Sequence, residues 1–95
     1  MKYSVYILYS PKIDKFYIGY TGNISNRLAY HNDVLRNKIW TKRGIPWELY
    51  FHMNDLGRSQ AMKIEKHLKK MKSRSFFEDI SKRKDLALEL RERFG

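Results

Sequence analysis

The sequence predicts a small α/β or α+β domain: a three-stranded antiparallel sheet flanked by helices, in the order ββαβαα. Three observations predict it. Two tracts rich in aromatic and β-branched residues, SVYILYS and KFYIGYT, flank the turn residues Pro11, Lys12, Ile13 and Asp14, the pattern of a hairpin. Later tracts carry apolar residues at helical spacing. The chain has 95 residues, enough for one small domain and too few for two. Residues 1–95 are therefore read as one unit.

Each element follows from local pattern. In the first strand, residues 2–10, Tyr3, Val5, Ile7 and Tyr9 share one side, and Ser4, Tyr6 and Leu8 the other. In the second, residues 15–21, Phe16, Ile18 and Tyr20 lie opposite Tyr17, Gly19 and Thr21. The short connection pairs Ser10 with Lys15, so Leu8 faces Tyr17 and Tyr6 faces Gly19. Gly22 and Asn23 break the strand. Asn23 or Ser25 caps a helix to about Arg36, with Ile24, Leu28 and Leu35 as its apolar stripe. Residues 37–46 read as a basic loop. Trp47 to Met53 reads as a third strand, with Trp47, Leu49 and Phe51 alternating against Glu48, Tyr50 and His52. A helix capped by Ser59 runs to about Lys72, its stripe Ala61, Ile64, Leu68 and Met71. Ser73 or Ser75 caps one last helix to about Arg93, carrying Phe76, Phe77, Ile80, Leu86, Leu88 and Leu90.

Composition narrows function. The chain has no cysteine, which excludes a disulfide scaffold and cysteine-ligated metal. No apolar run approaches the roughly 18 residues of a membrane span, and no small-residue cleavage site follows the first apolar stretch; a cytoplasmic location is expected. Twenty Lys and Arg stand against ten Asp and Glu, a formal net charge of +10, which points to a polyanionic partner. The surplus is clustered. Between Arg58 and Arg74 the only acid is Glu65, and Arg36 to Arg43 holds four bases and no acid. These segments lack a strong apolar insertion face, so nucleic acid fits better than a membrane.

Several residues sit where packing alone does not ask for them. Gly19 is a poor choice inside a strand and marks close approach by a ligand or another backbone, although a bulge gives the same pattern. Tyr6 and Tyr17 lie diagonally on one face, within reach of each other. Arg27 and His31, four residues apart, fall on the apolar side of their helix. Glu65 sits about 80° from the centre of its helix's stripe. It can pair with Lys66 or Lys69, or supply the single carboxylate that suffices for Mg²⁺.

Taken together these residues resemble the GIY-YIG endonuclease superfamily, in particular its small single-domain bacterial members. The first motif stands here as Ser4-Val5-Tyr6 and the second as Tyr17-Ile18-Gly19. Arg27, eight residues after Gly19, is similar to the family's helix arginine. His31 matches a position held by histidine or tyrosine, and Glu65 in AMKIEKHLKK matches the metal-binding glutamate. The resemblance covers about residues 2–72. Ser4 replaces the first motif's glycine, and Tyr20 stands where excision-repair members carry lysine.

The resemblance implies a metal-dependent endonuclease acting on nucleic acid, DNA ahead of RNA, in repair or recombination. Glu65 would hold one divalent ion, Mg²⁺ or Mn²⁺. Tyr6 would be the general base and Tyr17 would position water. Arg27 would hold a phosphate oxygen, His31 would relay a proton or hydrogen-bond Tyr6, and Gly19 would leave room for phosphate. Lys38, Lys42, Arg43, Lys69, Lys70 and Lys72 are the expected substrate contacts, and specificity would come from this domain or a protein partner. The competing reading is a module that keeps the fold, binds nucleic acid and has lost catalysis.

Overall fold

A computed structural model describes residues 1–95. The hairpin forms as the alternation demands: β1 (Tyr3–Ser10) pairs antiparallel with β2 (Lys15–Thr21), with Ser10 opposite Lys15, Leu8 opposite Tyr17 and Tyr6 opposite Gly19. A third strand, β3 (Glu48–Leu56), pairs antiparallel with the free side of β1, so the sheet order is β2-β1-β3. Four α-helices complete an α+β fold: α1 (Ile24–His31), α2 (Arg58–Met71), α3 (Arg74–Lys82) and α4 (Lys84–Arg93). No helix is long and apolar enough to cross a membrane.

Because β1 is central, its alternation feeds two cores. Val5 and Ile7 join Ile18, Met53 and Leu56 under Ala61, Ile64 and Leu68 of α2, with Phe77, Ile80 and Leu90 from the last two helices. Tyr6 and Leu8 point the other way, into a smaller cluster with Trp47, closed by Tyr17, Ile24 and Leu28.

The third strand departs from simple alternation. A register shift lies between Ile7 and Leu8, so Leu49 pairs with Leu8 while Phe51 pairs with Ile7. The extra residue, Tyr50, puts Leu49 and Phe51 on opposite faces, as a β-bulge does. Tyr50 packs beside Phe16 and Tyr9. A second irregularity leaves Asn54 and Asp55 between paired residues, with Asp55 at φ 62°. The Arg91 fork donates to both carbonyls there, at 2.8 Å each. The strand starts at Glu48 rather than Trp47 and runs three residues past Met53.

Three helix boundaries also differ from expectation. The first helix ends at His31, not near Arg36, and Leu35 is 82% exposed. The cause is Asn32: its side chain donates to the Trp47 carbonyl and accepts the Trp47 N–H, tying the chain to the start of β3. Asp33 then accepts the Leu35 and Arg36 N–H groups in a separate turn. The second helix starts at Arg58, with Gln60 accepting the Gly57 N–H, rather than behind a Ser59 cap. Met71, expected on its stripe, is exposed. The last helix is two. On one straight helix Leu90 would lie roughly 110° from the Phe77–Ile80 face. An extended Arg83 breaks the run and turns Leu90 inward. Ser73 caps α3 as expected, accepting the Phe76 N–H.

Residues 37–46, read as a loop, contain a 3₁₀ helix at Trp40–Gly44. It is fixed from inside. Ser10 donates to the Gly44 carbonyl at 2.6 Å, and the Trp47 indole donates to the Thr41 carbonyl at 2.6 Å. A Cβ on Gly44 would lie 2.6 Å from the Trp47 ring, which is buried. Gly44→Ala should therefore destabilise the fold by about 1–3 kcal/mol, read as a lower denaturant midpoint at unchanged m value. An unaltered midpoint would show that Trp47 moves freely.

Candidate active site

The smaller core opens into the candidate site. Tyr6 reaches it from β1, Tyr17 and Gly19 from β2, and Arg27 and His31 from successive turns of α1. The Tyr6 and Tyr17 ring centroids are 6.3 Å apart, and the Tyr17 and His31 centroids 4.6 Å. Arg27 is near enough to both phenols for them to raise its pKa and lies 5.0 Å from the Tyr30 ring centre. Glu65, on α2, is near enough for its charge to act on Tyr6. Tyr6, Tyr17, Arg27 and His31 thus come together beside Gly19, with one change of reason for the glycine. A Cβ on Gly19 would lie 2.5 Å from the Tyr6 hydroxyl. The room that Gly19 leaves is taken by Tyr6 itself, not kept for phosphate.

Burial moves the two titratable groups apart. Tyr6 is 2% exposed, and burial pushes its hydroxyl up to about 12, against the pull of Arg27. His31, fully buried, is pushed down to about 4 by burial and by the Arg27 charge. Each shift disfavours the charged form. At pH 7 both groups are neutral.

Two residues absent from the sequence reading settle how His31 is held. Asn37 and Thr41 are fully buried. Asn37 donates to the His31 carbonyl and to the Thr41 hydroxyl, at 2.9 Å each. The Thr41 hydroxyl lies 3.0 Å from His31 Nδ1. Having accepted from Asn37, that hydroxyl can give its proton to Nδ1, and the buried Tyr6 hydroxyl, 3.3 Å from Nε2, can give its proton to Nε2; the neutral ring accepts from one of the two and donates to the other. No local motif marks Asn37 or Thr41; polar residues in a basic stretch look like ordinary loop.

Beside this centre runs a groove of about 340 Å³ lined by Tyr17, Trp40, Lys69 and Lys72, with Phe16, Ile18 and Phe77 below. Lys69 pairs with Glu65 at 3.4 Å. Lys38, Lys42 and Arg43 are exposed on either side of Trp40 in the chain. Lys70 lies elsewhere, on the outer face of α2. No three His, Cys, Asp or Glu side chains converge as a ready cage for a metal ion. The single carboxylate of Glu65, its side chain 16% exposed, suits a hard cation that keeps its waters and takes phosphate oxygens.

The low His31 value has a consequence for stability. Its folded pKa lies below the unfolded one, so the unfolded chain binds the extra proton first as pH falls. This contribution is fully present above about pH 6.5 and is lost as pH falls toward 4, up to roughly 3 kcal/mol. Denaturation midpoints should drop over that window, and His31→Gln should flatten the drop; an equal drop in the variant would assign it to other groups.

No curated protein and no solved structure gives a significant match to the chain. A family model for the GIY-YIG catalytic domain matches residues 2–83, which takes in every element except α4. The chain therefore belongs to the GIY-YIG catalytic domain family, whose members are nucleases.

Proposed function

We propose that this domain hydrolyses phosphodiester bonds of nucleic acid, DNA rather than RNA, with a divalent ion, Mg²⁺ or Mn²⁺, held by Glu65. The observation that carries the reading is the meeting of two phenols, a neutral imidazole and a guanidinium over Gly19. The adjoining groove supports it. Lys69 and Lys72 offer phosphate contacts, and Trp40, 44% exposed, offers a ring for a base.

The roles follow from the chemistry of each group. The bound ion would offset charge on the phosphate and lower the pKa of its water. Glu65 exchanges Lys69 for the ion, which frees Lys69 for phosphate. The Arg27 fork holds a non-bridging oxygen, a task its planar geometry suits. Tyr17, at the groove wall, positions the attacking water. Tyr6 first gives its phenol proton to solvent, which needs added positive charge because the free site holds a phenol of pKa about 12, and the phenolate then takes the proton of the attacking water. His31 acts through its Nε2–H, which donates to the Tyr6 oxygen while that oxygen is a phenolate. An imidazole pushed down to about 4 is a poor proton acceptor at neutral pH, so hydrogen bonding is favoured over relay. Branched or damaged DNA, as in repair or recombination, is the substrate class to assay.

The protein should nick supercoiled plasmid or branched DNA with Mg²⁺ or Mn²⁺ and stop with chelator. Glu65→Ala, Arg27→Ala and Tyr6→Phe should each lower the rate by about 100-fold or more while circular dichroism stays native. Equal trace cleavage by wild type and all three variants would sink the reading. The cleavage rate should rise with pH, roughly tenfold per unit, while Tyr6 in the loaded site remains protonated. A flat profile removes Tyr6 from the role of base.

The His31 tautomer can be tested without activity. In nitrogen-resolved NMR of the free protein, Nε2 should carry the His31 proton. Thr41→Ser should keep that state and Thr41→Val should lose it. A wild-type ring protonated at Nδ1 would overturn the assignment.

A further inference from the structure

We propose that the outer face of α2 holds a second stretch of nucleic-acid backbone, outside the groove, in a pocket formed by Lys63, Lys66, Lys70 and Arg93 around His67 and Phe94. It rests on the nucleic-acid reading above and adds to it a non-catalytic site.

The first argument is charge. The pocket, about 500 Å³, is lined by four cations and no acid. The ion pairs of the molecule are Arg36–Asp33, Lys69–Glu65, Arg74–Asp14 and Arg83–Asp85. None involves a cation of this pocket. Four like charges on two adjoining elements repel one another, and a polyanion relieves that repulsion.

The second argument is spacing. Lys63, Lys66 and Lys70 lie at i, i+3 and i+7, one row along α2. At 1.5 Å per residue the row spans about 10 Å. Phosphates of one duplex strand advance about 3.4 Å each along the axis, so the row matches about three of them. The floor is aromatic: His67 and Phe94 lie 5.4 Å apart between ring centres, with Arg93 held 5.4 Å over Phe94. No aliphatic side chain lines the pocket, which disfavours a membrane surface.

The third argument is separation from the cleavage centre. Lys69 and Lys72 face the groove at the edge of β2. Successive residues turn by about 100°, so Lys70 points away from Lys69 and joins the outer row. The outer row on α2 and the groove pair, Lys69 and the C-cap Lys72, thus lie about 120° apart around a rod about 10 Å across. A strand longer than a few nucleotides can touch both. Contacts of this kind position the nucleic acid without reading its sequence.

His67 reports on occupancy. Burial first, then Arg93 and Lys70, hold its pKa down. A phosphate in the pocket acts in the opposite direction.

The test compares wild type with Lys63→Ala/Lys66→Ala/Lys70→Ala, three exposed positions. Binding of a duplex of about 30 base pairs is followed by anisotropy as salt is varied. The triple variant should lose between two and three from the salt slope, about 0.9 per contact, and at least about tenfold in affinity at low salt. In NMR, the duplex should raise the His67 pKa in wild type and not in the variant. Cleavage of a short oligonucleotide that fills only the groove should be unchanged. An unchanged salt slope overturns the proposal, as does loss of acidic-peptide or anionic-vesicle binding with duplex binding intact. A wild type that binds and never cleaves, with the slope loss still present, removes the nuclease reading and leaves this site standing.

Discussion

Tyr6 stands opposite Gly19 across the hairpin, and its hydroxyl occupies the space a side chain on Gly19 would need. That contact sets the depth of the phenol, and depth sets its chemistry. Deep burial raises a phenol and lowers an imidazole for the same reason, since each loses water from its charged form. The two groups meet as neutral partners, 3.3 Å apart. The charges that act on this neutral pair are Arg27, which pulls the phenol down, and Glu65, which pushes it up.

The two sides of β1 are built on different principles. The side under α2 is an apolar cluster of eleven buried residues, whose burial is the main source of stability. The four buried polar residues, Ser10, His31, Asn37 and Thr41, belong with the smaller cluster and the chain around it. Every buried side-chain polar atom there has a partner. A network of this kind specifies a geometry more than it adds stability, and the geometry it specifies is that of His31 and the 3₁₀ helix beside it.

The hairpin register and the diagonal of Tyr6 and Tyr17 were legible because they depend on a period of two, and the stacking of Arg27 over His31 because it depends on a period of 3.6; grouping Glu65 with them came from the family resemblance. What was not legible depends on partners far along the chain. Asn32 ends α1 only because Trp47 is there to receive its side chain. The shift at Tyr50 exists because β3 must serve Leu8 on one face and Ile7 on the other. The break at Arg83 lets Leu90 reach a core that one straight helix would miss. Asn37 and Thr41 carry no local signal, since a buried polar residue in a loop reads like a solvated one. Lys69 and Lys70 were grouped by charge, although one helical step puts them on different sides of α2.

The sheet order β2-β1-β3 leaves two open edges. An open edge is a template for another chain to extend, and so a route to aggregation. The β3 edge is kinked by its two irregularities and covered at one of them by the Arg91 fork. The β2 edge is straighter, and an open groove runs beside it. There the lysines beside it act as a gate of a different kind. A second copy of the chain, carrying the same net charge of +10, is repelled before its strands can align, while a polyanion is drawn in. The charge that selects the ligand also keeps the protein from selecting itself.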